Sequence, residues 1–232
     1  MELPGNMRLE PVAQSSHGVP TFMDFEEFTR LVTTSRGVEE LHLHGQHEPM
    51  WHPRFLDMVA YASHLGILVS TESTLGALGP RRAEQLIRSG LHVVHVPLAG
   101  ATEETWGRLG GRMRFHRVVR NIQSLLDARE RLGTRLPRLR LTVAVTPHNV
   151  EEIPDVVRLA RHWEAEGVTI PHACRVLQFD DEARLTRCIQ EAQRVAGELR
   201  VDLQLIPSNT CSAAPCRACP CETPSCSPRG NP

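Results

Sequence analysis

Apolar positions along the chain switch repeatedly between a spacing of three to four residues and strict alternation, and each switch marks a new element. Asp24 stands before a helical run reaching residue 35, and residues 39–44 then alternate as a strand. Pro53 suits a first helical turn, Phe55, Met58, Val59 and Ala62 form one apolar face behind it, and residues 66–70 read as a buried strand. Pro80 opens the next helix, Ser89 and Gly90 close it, and a strand follows over 92–96. Thr102 caps a short helix, and residues 115–132 form a long one with Val118, Ile122, Leu125 and Leu126 on one side. The pattern continues with a strand over 139–145 and a helix ending near 167, whose start sets Asn149 three residues before Glu152 as in a capping box. A strand over 168–170, a helix over 181–199 and a strand over 201–205 complete it. Six strands alternating with helices predict an α/β protein whose parallel strands are joined by right-handed crossovers. That is a full or partial β/α barrel, or an open doubly wound sheet, and in either case function gathers at the carboxyl ends of the strands.

Composition narrows the chemistry. The 232 residues carry 26 basic side chains, all of them arginine, against 27 acidic ones, for a formal charge of -1. So even a balance gives no electrostatic reason for nucleic acid or an anionic membrane as partner. With no lysine in the chain, a lysine Schiff base and a Walker A phosphate loop are both excluded. The first residues have neither a basic segment nor an apolar core of a leader, and no apolar run is long enough to cross a bilayer, so a cytoplasmic location is expected. Residues 208–232 hold five of the seven cysteines and five prolines but almost no large apolar side chain, so they form no core. In a reducing compartment the spacing of Cys211, Cys216, Cys219, Cys221 and Cys226 points to metal before disulfide, with Cys216, Cys219, Cys221 and Cys226 the candidate ligands for zinc or an iron-sulfur cluster. The competing reading is a Cys/Pro-rich tail that binds nothing.

The first predicted strand exits into a cluster of histidines. Period-two geometry sets Glu40, His42 and His44 on one face, with His47, Glu48 and His52 in the loop beyond. His42 and His44 could open the ligand set of a metal-dependent hydrolase, since neutral imidazoles with a carboxylate suit zinc; the alternative is a polar lining of the barrel mouth. His95 reads as a satisfied interior histidine, and Trp51, Trp106 and Trp163 as packing residues.

The same loop carries a resemblance. The run Gly45-Gln46-His47-Glu48-Pro49-Met50-Trp51-His52-Pro53-Arg54-Phe55 is similar to the GGEP and following L-x-H-P-x-F signature of radical S-adenosylmethionine enzymes. Tyr61-Ala62-Ser63-His64-Leu65-Gly66-Ile67, Leu86-Ile87-Arg88-Ser89-Gly90-Leu91, Leu98-Ala99-Gly100-Ala101-Thr102, Phe115-His116-Arg117-Val118-Val119-Arg120-Asn121-Ile122 and Asn149-Val150-Glu151-Glu152-Ile153-Pro154 follow in that family's order. The likeness spans about residues 5–180 and is greatest to the branch with a carboxyl-terminal SPASM extension, whose members often modify peptides. It implies a partial β/α barrel in which a [4Fe-4S] cluster, held by three cysteines just after the first strand, binds and reductively cleaves S-adenosylmethionine to modify a peptide or small molecule. It further implies that Gly45, Glu48, Pro49, Ser70 and Glu72 lie around the cofactor, with Glu48 holding its amino group.

The resemblance also marks departures. Aligned on its Asn and Arg context, the cluster loop falls on residues 5–12 and puts Gly5, Leu9 and Val12 where the family has cysteines. Glu72-Ser73 replaces the family's asparagine-glycine, and Pro97-Leu98-Ala99-Gly100 its serine-x-aspartate-glycine turn. The expectation is therefore a degenerate cluster-loop region over 1–23 with the first strand missing, a barrel over 24–207 and a tail over 208–232. The uncovered sheet edge would need a partner or dimer mate. A barrel that only binds its ligand or a partner, without radical chemistry, is the alternative function.

Overall fold

The computed structural model describes residues 5–14, 20–45, 47–110, 114–171 and 182–206. In chain order it contains β1 (Asn6–Leu9), β2 (Val12–Gln14), β3 (Pro20–Phe22), α1 (Phe25–Thr34), β4 (Glu40–Leu43), α2 (Phe55–His64), β5 (Leu68–Glu72), α3 (Pro80–Arg88), β6 (Val93–Leu98), α4 (Glu103–Arg108), α5 (Phe115–Arg131), β7 (Arg138–Val143), α6 (Ile153–His162), β8 (Gly167–Pro171), α7 (Glu182–Leu199) and β9 (Asp202–Ile206). Seven of the strands form one parallel sheet in the order β1-β4-β5-β6-β7-β8-β9, curled into a half-barrel, while β2 and β3 pair as an antiparallel hairpin. Spatial order follows chain order without reversal, which selects the partial barrel over a doubly wound sheet.

The first strand is present, contrary to expectation. Asn6–Leu9 pairs in parallel with β4, from Asn6 opposite Glu40 to Leu9 opposite Leu43. Period two explains it, since Met7 and Leu9 pack against the core while Asn6 and Arg8 remain exposed. Gly5, Leu9 and Val12 are therefore not positions of one loop. Gly5 leads into β1 at φ +121, and its carbonyl accepts from the Glu39 and Glu40 amides; Leu9 ends β1; Val12 opens β2 and is buried.

Alternation along each strand separates two environments. Leu41, Leu43, Val69, Val94, Val96, Leu139, Leu141 and Val168 face the helices and are fully removed from solvent. Each such side chain contributes roughly 1.5–3 kcal/mol of transfer free energy. The opposite, concave face is polar and carries Arg8, His42, Ser70, His95 and Arg140. One contact there crosses a strand: Arg140 on β7 reaches over β8 to Asp202 on β9, Nη2 to Oδ2 at 2.8 Å. Gly167 pairs with both residues, and its bare backbone leaves the path open.

The helices begin and end where their caps dictate. The Asp24 carboxylate accepts from the Glu26 amide at 2.7 Å and the Glu27 amide at 3.3 Å, satisfying two donors at the start of α1. Asp24→Ala is expected to cost about 1 kcal/mol, read as a lower urea midpoint at unchanged slope. Among the described residues no helix is long and apolar enough to cross a membrane.

Candidate functional site

His42 on β4, His44 just beyond it and His95 in the middle of β6 bring three imidazoles together on the concave face. His42 Nδ1 lies 2.8 Å from Ser70 Oγ, and the His42 ring centroid is 4.9 Å from that of His44 and 5.7 Å from that of His95. Burial, then the neighbouring His44, His95 and Arg8, push the His42 pKa down to about 3. Burial followed by Arg8 lowers His44 against the pull of Glu10, and burial followed by Arg140 lowers His95 against Glu166. The three rings are thus uncharged near neutrality. His95 is half-buried beside His42 rather than enclosed in the core. Among the described residues no group of three or more His, Cys, Asp and Glu side chains is arranged to hold a metal ion, so His42 and His44 gain no ligand partners for a hydrolase.

Beyond β4 the chain passes Gly45, where any Cβ would overlap the Glu10 side chain, and reaches Glu48 and the buried Pro49, which opens a 3-10 turn over Pro49–Trp51. Glu48 turns towards the end of β5. Its Oε1 accepts from Ser73 Oγ at 2.6 Å and from the Met50 amide at 3.4 Å; its Oε2 accepts from the Thr74 amide at 3.0 Å and Thr74 Oγ1 at 2.8 Å. Leu75 follows in the left-handed region at φ +58, fully buried, a conformation that disfavours a residue with a Cβ. Three bonds hold it there: its amide donates to Ser73 Oγ at 2.8 Å, and its carbonyl accepts from the buried Asn121 Nδ2 at 2.7 Å and from the Leu78 amide at 2.9 Å. Glu72 ends β5; desolvation of its carboxyl by burial, then the Glu48 charge, raise its pKa.

The Asn149 and Glu152 pair is not a capping box. The Asn149 side chain caps no helix; it accepts from the Thr146 amide at 2.7 Å and donates to the carbonyls of Ala99 at 2.8 Å and Ala144 at 2.9 Å. Glu152 accepts from the amides of Ala101 and Thr102 at 2.6 and 3.3 Å, and from the hydroxyls of Thr102 and Thr105 at 2.8 and 2.5 Å. Both side chains staple the loop after β6 to the loop after β7. Burial alone would raise the Glu152 pKa, but the hydrogen bonds from Thr105, Thr102 and Ala101 outweigh it and hold the carboxyl below its ordinary range. Gly100 is required here, since a Cβ would stand 2.6 Å from Glu152 Oε2.

Of the residues expected around a cofactor, the structure joins Glu48 to the β5 end, places Ser70 and Glu72 along β5, and sets Ser70 against His42. Gly45 lies under Glu10. Ser73, Thr74, Asn121, Thr105 and Glu152 were not expected at the site, although Asn121 and Glu152 stand in runs that carry the resemblance and Ser73-Thr74 is a hydroxyl-rich pair after a strand. Cys216, Cys219, Cys221 and Cys226 lie outside the described residues.

A [4Fe-4S] cluster of the implied kind needs three thiolates between the first strand and the first helix. That connection is residues 10–24, and it includes the β2–β3 hairpin. It has no cysteine; the first in the chain is Cys174. Carboxylate, amide, hydroxyl and imidazole groups and the single Met23 thioether are what residues 10–24 offer, and without thiolates they do not fit the cluster.

Comparison with known proteins agrees with the fold. A family model described as the radical SAM superfamily matches residues 11–160. The tungsten-containing aldehyde ferredoxin oxidoreductase cofactor-modifying protein of Pyrococcus furiosus is 23% identical over 186 residues, covering 75% of this chain and 52% of that protein. The PqqA peptide cyclase of Gluconobacter oxydans is 28% identical over 178 residues, covering 72% and 47% respectively. The chain thus spans about half the length of these curated relatives. Streptococcus suis SuiB bound to S-adenosylmethionine superposes with a TM-score of 0.67 at 14% identity, over 88% of this chain and 47% of that one. A partial barrel with strand order equal to chain order, the Gly45 to Pro49 loop at its mouth and a family match over most of its length lead to one assignment: the chain belongs to the radical SAM superfamily.

Proposed function

We propose that this chain is a degenerate radical SAM barrel that binds a peptide or small molecule at the carboxyl ends of its strands and generates no radical of its own. One observation carries the reading: the connection between β1 and α1, where the family's cluster is held, offers no thiolate. The polar concave face supports ligand binding, because the neutral imidazoles of His42, His44 and His95 can donate or accept hydrogen bonds without a charge to desolvate. A peptide is the favoured ligand class, since PqqA peptide cyclase is among the relatives.

Anaerobic iron-sulfur reconstitution of the full chain tests this. The expected result is no stoichiometric cluster, no absorbance near 400 nm and no 5'-deoxyadenosine after dithionite reduction. About four irons per chain together with 5'-deoxyadenosine would overturn the proposal. Loss of both in a Cys216→Ser/Cys219→Ser variant would then assign the ligands to residues 208–232.

A further inference from the structure

We infer that Glu48 is a positioning residue here: its carboxylate clasps the strained turn after β5 and is closed to the ammonium group of a bound cofactor. A carboxylate offers about four lone-pair sites. All are engaged, by Ser73 Oγ and the Met50 amide on Oε1 and by the Thr74 amide and hydroxyl on Oε2. An ammonium group arriving at Glu48 would have to displace one of these donors.

Displacement would not be a local event. Ser73 Oγ donates to Glu48 and accepts from the Leu75 amide, so the same hydroxyl links the carboxylate to the residue held at φ +58. Asn121 grips the other side of Leu75 from α5. Leu75 is fully buried and carries a Cβ, so it keeps this backbone conformation only while its surroundings over-determine it. The Leu78 amide also donates to the Leu75 carbonyl, so releasing Ser73 would remove the bond on the amide side and leave those on the carbonyl. Glu48 therefore serves the fold of the mouth, and its neighbour Glu72 at the end of β5 is a second carboxylate for which a cationic ligand can be tested.

The test uses the full chain, S-adenosylmethionine as the calorimetric probe and residue-resolved amide exchange as the structural readout. Glu48→Gln keeps the shape but replaces one acceptor oxygen by a donor. Exchange at Thr74 and Leu75 is expected to rise on the order of tenfold or more, with β8 amides unchanged. Thr74→Ser, which retains the hydroxyl, is expected to keep wild-type protection, whereas Thr74→Val loses it. Any S-adenosylmethionine binding should change less than about twofold in Glu48→Gln, and loss of binding in Glu72→Gln alone would also uphold the inference. Binding weakened tenfold or more by Glu48→Gln, with Thr74 and Leu75 still protected, would overturn it. Should Glu48→Gln not fold, Ser73→Ala asks the same question, and unchanged exchange at Leu75 would refute the clasp. Cluster formation bears on the missing thiolates and leaves this test untouched, so the two readings fail separately.

Discussion

Gly167→Val is expected to be among the most destabilising single substitutions in the barrel, by about 3–5 kcal/mol. A Cβ at 167 would overlap the Asp202 carbonyl oxygen and stand 3.0 Å from Arg140 Nη2. The first obstacle is backbone in a paired strand and cannot turn aside as a side chain could. The second is the guanidinium of Arg140 on its way to Asp202; the Arg140 side chain is only 11% exposed. Pushed off that path, Arg140 would keep the Glu166 carboxylate at 3.8 Å but lose its 2.8 Å bond, leaving a largely buried charge poorly paired. In a chain of this size the loss corresponds to a melting temperature lower by roughly 6–20 °C. Gly197→Ala in α7 is the control: nothing lies within 4 Å of its added Cβ, and a helical alanine should be neutral or stabilising by up to about 1 kcal/mol. Thermal melts of the two variants beside wild type decide it. Equal melting temperatures would show that β8 and β9 do not pack as described.

Glu152→Ala should rank close behind, at about 2–3 kcal/mol. Four donors lose their shared acceptor at once, and the amides of Ala101 and Thr102 are left in a loop with no carboxylate to meet them. The effect carries a pH signature. Because the folded-state pKa lies below the unfolded one, the stabilisation is complete above the unfolded carboxylate value, about 4.3, and disappears as pH falls through the folded value. The gap in stability between wild type and Glu152→Ala should therefore be constant from neutrality down to about pH 5 and narrow below about pH 4. Denaturant titrations across that range measure it. A gap independent of pH down to strong acid would mean that the carboxylate charge plays no part in the staple.

Much of this architecture was legible in the sequence because it is written in local periods. The helix capped by Asp24, the one opened by Pro80 and the strand expected over 92–96 and found at Val93–Leu98 follow from residues within a few positions of one another. What was missed depends on distance. Asn149 and Glu152 have capping-box spacing, yet their partners Ala99, Ala101, Thr102 and Thr105 lie about fifty residues earlier, beyond the reach of any local pattern. His42 and His95 are separated in sequence by a whole β/α unit and more, and meet across β5, which lies between their strands and sets Ser70 opposite His42 and Glu72 opposite His95. The first strand was hidden for a different reason: four residues with two apolar positions give too short an alternation, and the Asn6 and Arg8 context matched a loop motif better. The strained Leu75 could not have been foreseen, since nothing about a leucine announces a positive φ.

The strand order has a consequence for how the chain is made. Every strand of the parallel sheet after β1 adds beside the one before it in sequence, apart from the small β2–β3 hairpin, so the growing edge is always the most recently synthesised one. A ribosome releasing this chain would present each β/α unit to a template already in place, and no strand would wait for a partner still to be translated. Each closure spans only one crossover, which keeps its entropic cost nearly constant from the first unit to the last. Assembly can then run in chain order, each new strand docking on the edge left by the one before it once enough strands are present to bury a core.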